Sequence, residues 1–233
     1  MADFSIREVE GMRQVRVDIA GETVRARRGA MSTMRGDIKL TPRLPGFGDI
    51  FRSIFTSEAR IRPYYSGSGS IMLQPSLAGY HLLDVEDGEA WILEPEIYWA
   101  SEGNVALGMR REPFWSSLWA GDGLFTWKTT LQNPGRVAIN APGPVEVVDV
   151  DGELRVQGRL VLGRTEGLKF SSRPAARWPR SMISGQKRLR VFTGKGKALV
   201  CWTPYWNEHL YRRMTGESIE GCADSQKFSS LKF

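Results

Sequence analysis

One spacing recurs three times along this chain. A Gly-Glu pair stands at Gly21-Glu22, Gly88-Glu89 and Gly152-Glu153, and a further glycine follows each first one by fifteen residues, at Gly36, Gly103 and Gly167. A third glycine, Gly69, Gly135 or Gly196, lies 48, 47 and 44 residues beyond the opening one. The stretch Val145 to Phe170 shows what surrounds these marks: a strand, a tight Asp151-Gly152 turn, a second strand, and another turn at Glu166-Gly167. Self-similarity at a fixed period signals a repeated supersecondary unit, and here the unit is β. A two-residue hairpin loop at Asp151-Gly152 would turn Val145, Val147, Leu154 and Val156 to one inward face. The same register in the first copy turns Val17, Ile19 and Val24 inward, one residue out of phase, which a bulge or a longer turn in one copy would reconcile.

Taken in order, the chain divides into a lead-in at 1–14, β modules at 15–80, 81–144 and 145–214, and a polar, aperiodic, mobile tail at 215–233. In the first module Val15, Val17 and Ile19 alternate with Arg16 and Asp18, the period of a strand with one wet face. Strands of the second module are more apolar (Trp91, Ile92, Leu93, then Ile97, Tyr98, Trp99), which predicts the most enclosed of the three. Asn133-Pro134-Gly135 reads as a turn between two return strands. With 233 residues, 41% of them hydrophobic, the chain is long enough to bury a core. Its 25 glycines and 12 prolines are spread at turn-like intervals, as in a protein of many short strands.

Each module carries an insertion after its second glycine mark, and each insertion places bulky apolar groups beside arginine. They are Phe51, Ile54 and Phe55 with Arg52; Phe114, Trp115, Leu118 and Trp119 with Arg110 and Arg111; and Trp178, Met182 and Ile183 with Arg177 and Arg180. Phe51, Ile54 and Phe55 fall at one-turn helical spacing, as do Trp115, Leu118 and Trp119. One reading makes them caps on the open ends of sandwiches. The other makes them contacts for an oligomer or protein partner, where Trp and Arg are enriched, or for an anionic membrane surface.

The ordered motifs GETVRARRGAM, SGSGSIMLQPSLAG, DGEAWILEPEIYWASEGNVAL and GDGLFTWKTTLQNPGRVAINAPGPVEVVDVDGE resemble the AIM24 family over roughly residues 15 to 212. The resemblance implies three tandem β-sandwich modules around a pseudo-threefold axis, each similar to the trp RNA-binding attenuation protein and to a short double-stranded β-helix. It supplies no catalytic residue. Bacterial members have no settled activity, and eukaryotic relatives are linked to mitochondrial inner-membrane organisation. The family's membrane-proximal loops tend to be glycine-rich, whereas the insertions here are rich in Trp and Arg.

Enzyme signatures are missing from the sequence. Double-stranded β-helix relatives often hold a metal on two or three histidines, but this chain has only His81 and His209, without ligand spacing. The acidic clusters Asp84-Glu86-Asp87-Glu89 and Asp149-Asp151-Glu153 invite a calcium reading, yet Val147 stands where an EF-hand loop needs its first ligand, so they read as turns. SGSGS at 66–70 lacks the end of a phosphate loop, GKGK at 194–197 reads as a basic hairpin turn, and no serine sits in a nucleophile elbow. No catalytic residue, cofactor or metal is expected. Cys201 and Cys222 read as unpaired thiols.

The formal charge of +6 is uneven, since Gly167 to Asn207 holds no Asp or Glu. Arg173, Arg177, Arg180, Lys187, Arg188, Arg190, Lys195 and Lys197 form an expected basic surface. It offers an alternative partner, RNA or single-stranded nucleic acid, with Trp178, Trp202, Tyr205 and Trp206 as stacking rings. The favoured expectation is a non-enzymatic, self-associating scaffold or adaptor, cytoplasmic or peripheral to a membrane, because no apolar run reaches the roughly 18 residues of a spanning helix and MADFSIREVEGM lacks an export signal.

Overall fold

The structure, a computed structural model, describes residues 1–42, 62–76, 79–111, 127–141, 143–157, 160–175 and 188–202. Every regular element among them is a strand: β1 Asp3–Val9, β2 Met12–Ala26, β3 Met31–Thr41, β4 Tyr64–Leu73, β5 Tyr80–Val85, β6 Trp91–Leu93 and β7 Tyr98–Glu102, then β8 Ala106–Arg111, β9 Trp127–Gln132, β10 Gly135–Asn140, β11 Val145–Gln157, β12 Val161–Thr165, β13 Leu168–Pro174 and β14 Arg188–Cys201. They form two antiparallel seven-stranded sheets. The first runs β3-β4-β2-β7-β10-β5, with β1 also on β2; the second runs β11-β14-β12-β6-β9-β8, with β13 also on β14.

The lead-in is a strand that folds back at once. Val9 pairs with Met12 across Glu10 and Gly11, both at positive φ (51° and 78°), the backbone of a two-residue turn whose twist suits a hairpin. The other Gly-Glu marks behave differently. Asp151-Gly152 does not reverse the chain: β11 continues through it, and all thirteen of its residues pair with β14 in register. Gly194 and Gly196 likewise lie inside β14, so GKGK is no hairpin. A reversal needs the flanking halves to pair with each other; here both halves pair with the same third strand. Gly152, at φ 114°, opposes Gly194, at φ 125°, so two long strands turn a corner together without breaking the ladder.

The burial pattern settles the phase question. Along β11 the inward side chains are Val148, Val150, Leu154 and Val156, an unbroken alternation through Gly152, while Val147 is 43% exposed. Of the expected inward set, Val145 does pack, against the cluster that holds Leu199, while Val147 is corrected to the margin, because a corner, unlike a two-residue loop, preserves the two-residue period. In β2 the inward set is Val15, Val17 and Ile19, then Val24 and Ala26, and the change of phase falls at a bulge between Ala20 and Thr23.

Between Tyr80 and Asn140 the corners become full crossings. The chain passes from the first sheet to the second at Asp87-Gly88 (β5 to β6), returns at 94–97 (β6 to β7), passes again at 103–105 (β7 to β8) and returns at Asn133-Pro134 (β9 to β10). Asn133 takes a positive φ of 67°, as the turn chemistry predicts. Strand β6 lies between β12 and β9, with Trp91, Ile92 and Leu93 all buried, which matches the apolar run. Three apolar clusters result. Val15, Val17, Ile71 and Leu73 lead the first, Trp91, Leu93, Leu131 and Leu199 the second, and Val156, Leu168 and Phe192 the third.

Candidate functional site

The three insertions arise in like surroundings. Each joins two antiparallel strands that stay paired to the base of the connection: Thr41 with Tyr64, Arg111 with Trp127, and Pro174 with Arg188. The contact candidates themselves, Phe51, Ile54, Phe55, Phe114, Trp115, Leu118, Trp119, Trp178, Met182 and Ile183, lie outside the described residues, as do Arg177, Arg180 and Lys187. What the structure does describe is the ground they rise from.

That ground includes a buried ionic cluster. Lys128 of β9 is 1% exposed and donates to Glu94 at 2.7 Å; Arg190 of β14, 4% exposed, approaches the same carboxylate at 3.7 Å. Phe170 of β13 lies against the cations, with the Lys128 ammonium 5.0 Å and the Arg164 and Arg190 guanidinium carbons 5.7 Å from its ring centre. Arg164 also donates through Nε to the Leu168 carbonyl at 3.0 Å. Charge inside a protein is tolerated where counter-charge, carbonyl or aromatic face replaces water. Arg190 is thus an interior residue and not part of the basic surface. Alternation places it with Phe192 and Phe170 on one face, where Glu94, from a distant strand end, meets it.

Arg173, Lys195 and Lys197 of the basic stretch have carboxylate neighbours. Lys197 sits between Glu89 at 2.6 Å and Glu86 at 3.2 Å, and the hydrogen bonds it donates to both raise its pKa. Burial pushes the Glu89 carboxyl up, but hydrogen bonds from Lys197 and the Trp91 indole outweigh it and hold the group below the usual range. Arg173 lies 3.3 Å from Glu153, and Lys195, 85% exposed, lies 3.6 Å from Asp151. Asp84 pairs with Arg136 at 2.7 Å. The acidic run Asp84-Glu86-Asp87-Glu89 thereby supplies counter-ions to neighbouring strands. Among the described residues no group of His, Cys, Asp and Glu is arranged to hold a metal. His81 is driven toward its neutral form by burial, and Cys201 is a buried free thiol.

A groove opens where the corners of β2, β7 and β10 meet, lined by Met1, Glu22, Glu102, Asn104, Gly135 and Arg136. Its acids are engaged. Glu102, 5% exposed, accepts the Ala2 amide on one oxygen and the Arg136 amide on the other, both at 2.9 Å. Glu22 accepts the Ala20 amide at the bulge and the terminal ammonium at 2.9 Å, which hold its carboxyl down at about 2. These pairs fasten the corner and leave little there for a ligand to claim.

The open feature is at the sheet margins. Among the described residues, no strand pairs with the outer side of β3 or of β11, each one of the two ends of its strand order, the others being β5 and β8. β3 is exposed at every residue but Met31 and Ile38, and Met34, Leu40 and Val147 stand half out of the core. Sequence reasoning did not mark these strands as edges, because an edge is defined by which partner is missing.

Comparison with known proteins places this arrangement in context. The family model described as mitochondrial biogenesis AIM24 matches residues 4–201. A crystal structure of a Streptococcus pyogenes protein from a structural genomics programme superposes with a TM-score of 0.68 at 17% identity, covering 92% of this chain and 100% of that one, a likeness of fold alone. No curated protein matches the chain.

Proposed function

This chain belongs to the AIM24 family, and from that premise we propose that it is a non-enzymatic scaffold that works by associating with copies of itself at an anionic membrane surface. The observation that carries the reading is the pair of long, exposed sheet edges, β3 and β11. An unpaired edge with half-exposed apolar side chains favours another strand over water. Three tandem modules, joined first to second and second to third, form the finer architecture of this reading. Supporting it are the three insertion-bearing strand pairs and the strands that bend or cross at the marked glycines. The aromatic and arginine residues of the insertions, Trp115 and Trp119 foremost, are the contacts to lipid or to a protein partner.

The native mass of the full chain tests self-association. A discrete oligomer at micromolar concentration is expected, and a monomer up to about 100 µM, where interfaces of moderate size still hold together, overturns it. Sedimentation with anionic liposomes tests the membrane role. Wild type is expected to co-sediment and a Trp115→Ala/Trp119→Ala variant to stay in solution; equal, negligible binding removes that part of the proposal.

A further inference from the structure

A strand edge presents a row of backbone donors and acceptors that only solvent or another strand satisfies. β3 pairs with β4 alone and β11 with β14 alone among the described strands. Both edges also end an apolar row. Register aligns Phe4, Val17, Ile71 and Met34 across the first sheet; the first three are 3%, 0% and 1% exposed, and Met34, on the edge, is 37% exposed. In the second sheet Leu93, Gly163 and Leu199 lead to Val147, where Leu199 is fully buried and Val147 is 43% exposed. A neighbouring strand would extend the first row and cover Met34.

The chain already uses one kind of pairing twice. Past the bulge at Gly21, Val24, Arg25 and Ala26 pair with Glu102, Ser101 and Ala100, just before Gly103. Past Gly88, Trp91, Ile92 and Leu93 pair with Thr165, Arg164 and Gly163, just before Gly167. The counterparts past Gly152 are Arg155, Val156 and Gln157, on the free edge of β11. The counterparts before Gly36 are Thr33, Met34 and Arg35, on the free edge of β3. Two of three equivalent pairings are made inside the molecule, and both halves of the third are unused.

We infer that the third pairing is made between copies: the β11 edge of one chain adds antiparallel to the β3 edge of a second chain, head to tail. This deepens the self-association reading and rests on it. Keeping the β2–β7 spacing sets Val156 against Met34, inward face to inward face. Arg155 then stands opposite Arg35 and Glu153 opposite Asp37, like-charge pairs that each cost stability, offset by the diagonal pairs Arg155 with Asp37 and Arg35 with Glu153. The strands also differ in net sign, β11 carrying Glu146, Asp149, Asp151 and Glu153 against Arg155, and β3 carrying Arg35 and Lys39 against Asp37. That difference favours β11 on β3 over either strand on itself. Such a contact is heterologous, so it propagates around a ring or along a filament.

Two single-cysteine variants test the surface, Arg35→Cys and Arg155→Cys, each in a Cys222→Ser background. Both replaced side chains are exposed, so neither change disturbs the core. Mild oxidation of the mixture is expected to give a disulfide dimer containing one chain of each variant, identified by intact mass, while each variant alone stays uncrosslinked. An oligomeric native mass without that mixed dimer, or with like-to-like dimers in its place, overturns this surface and leaves self-association standing. A monomeric native mass overturns both.

Discussion

Replacing Glu102 tests whether the corner groove is framework or site. The carboxylate is 5% exposed and each oxygen accepts one backbone amide at 2.9 Å, from Ala2 and from Arg136. A hydrogen bond to a charged group contributes roughly 1.5–3 kcal/mol, and a buried donor left without its acceptor carries a similar penalty. Glu102→Gln keeps one acceptor and turns an NH2 toward the other amide, so it loses one bond at about 2 kcal/mol. Glu102→Ala orphans both amides, and about 4 kcal/mol follows if the two losses add. At this chain length 2 kcal/mol corresponds to a fall in Tm of roughly 4–8 °C. Urea unfolding followed by tryptophan fluorescence measures the change, and hydrogen exchange reports the Ala2 and Arg136 amides directly. Asp84→Asn, which removes the partly exposed Arg136 pair, serves as a control at about 0–1 kcal/mol. A Glu102→Gln protein within about 0.5 kcal/mol of wild type, with both amides still protected, would refute the fastening role.

Gly152 and Gly69 separate backbone strain from collision. A Cβ at Gly152 meets nothing within 4 Å, so Gly152→Ala should cost only the φ 114° strain, about 1–3 kcal/mol, while a Cβ at Gly69 would stand 2.1 Å from the Arg35 carbonyl oxygen and Gly69→Ala should lower Tm far more; equal losses in a thermal melt would contradict this. Glu22 supplies a pH test. Its folded pKa of about 2 lies below the ordinary 4.5, so its contribution is complete above about 4.5 and is lost as pH falls toward 2. An NMR titration of the Glu22 side chain and the Ala20 amide should show a common midpoint near 2, and a midpoint near 4.5 would show that the bulge contact does not form.

Legibility in the sequence followed the range of each interaction. The strands of the first module, the Asn133-Pro134-Gly135 turn and the buried Trp91-Ile92-Leu93 run were readable because alternation, turn chemistry and apolar content act over a few residues. The Asp151-Gly152 hairpin was misread for the converse reason. A positive-φ glycine serves a reversal and a corner equally well, and only the partner of the flanking halves tells them apart. Arg190 was placed on the surface by its charge, and its counter-ion Glu94 belongs to a strand nearly a hundred positions away.

By itself, then, the amino-acid order determined an all-β chain, the positions that only glycine tolerates, the alternating faces of the strands and membership in a recognisable family. Tertiary structure decided which strands met. It made β11 and β14 bend as a pair, carried β5 to β10 across both sheets, drew Lys128, Arg164 and Arg190 into the interior around Phe170, and left β3 and β11 with one side unpaired among the described strands. Backbone preference and side-chain period are local energies written residue by residue, whereas ladder partners, counter-charges and free edges depend on which distant segments arrive at the same place.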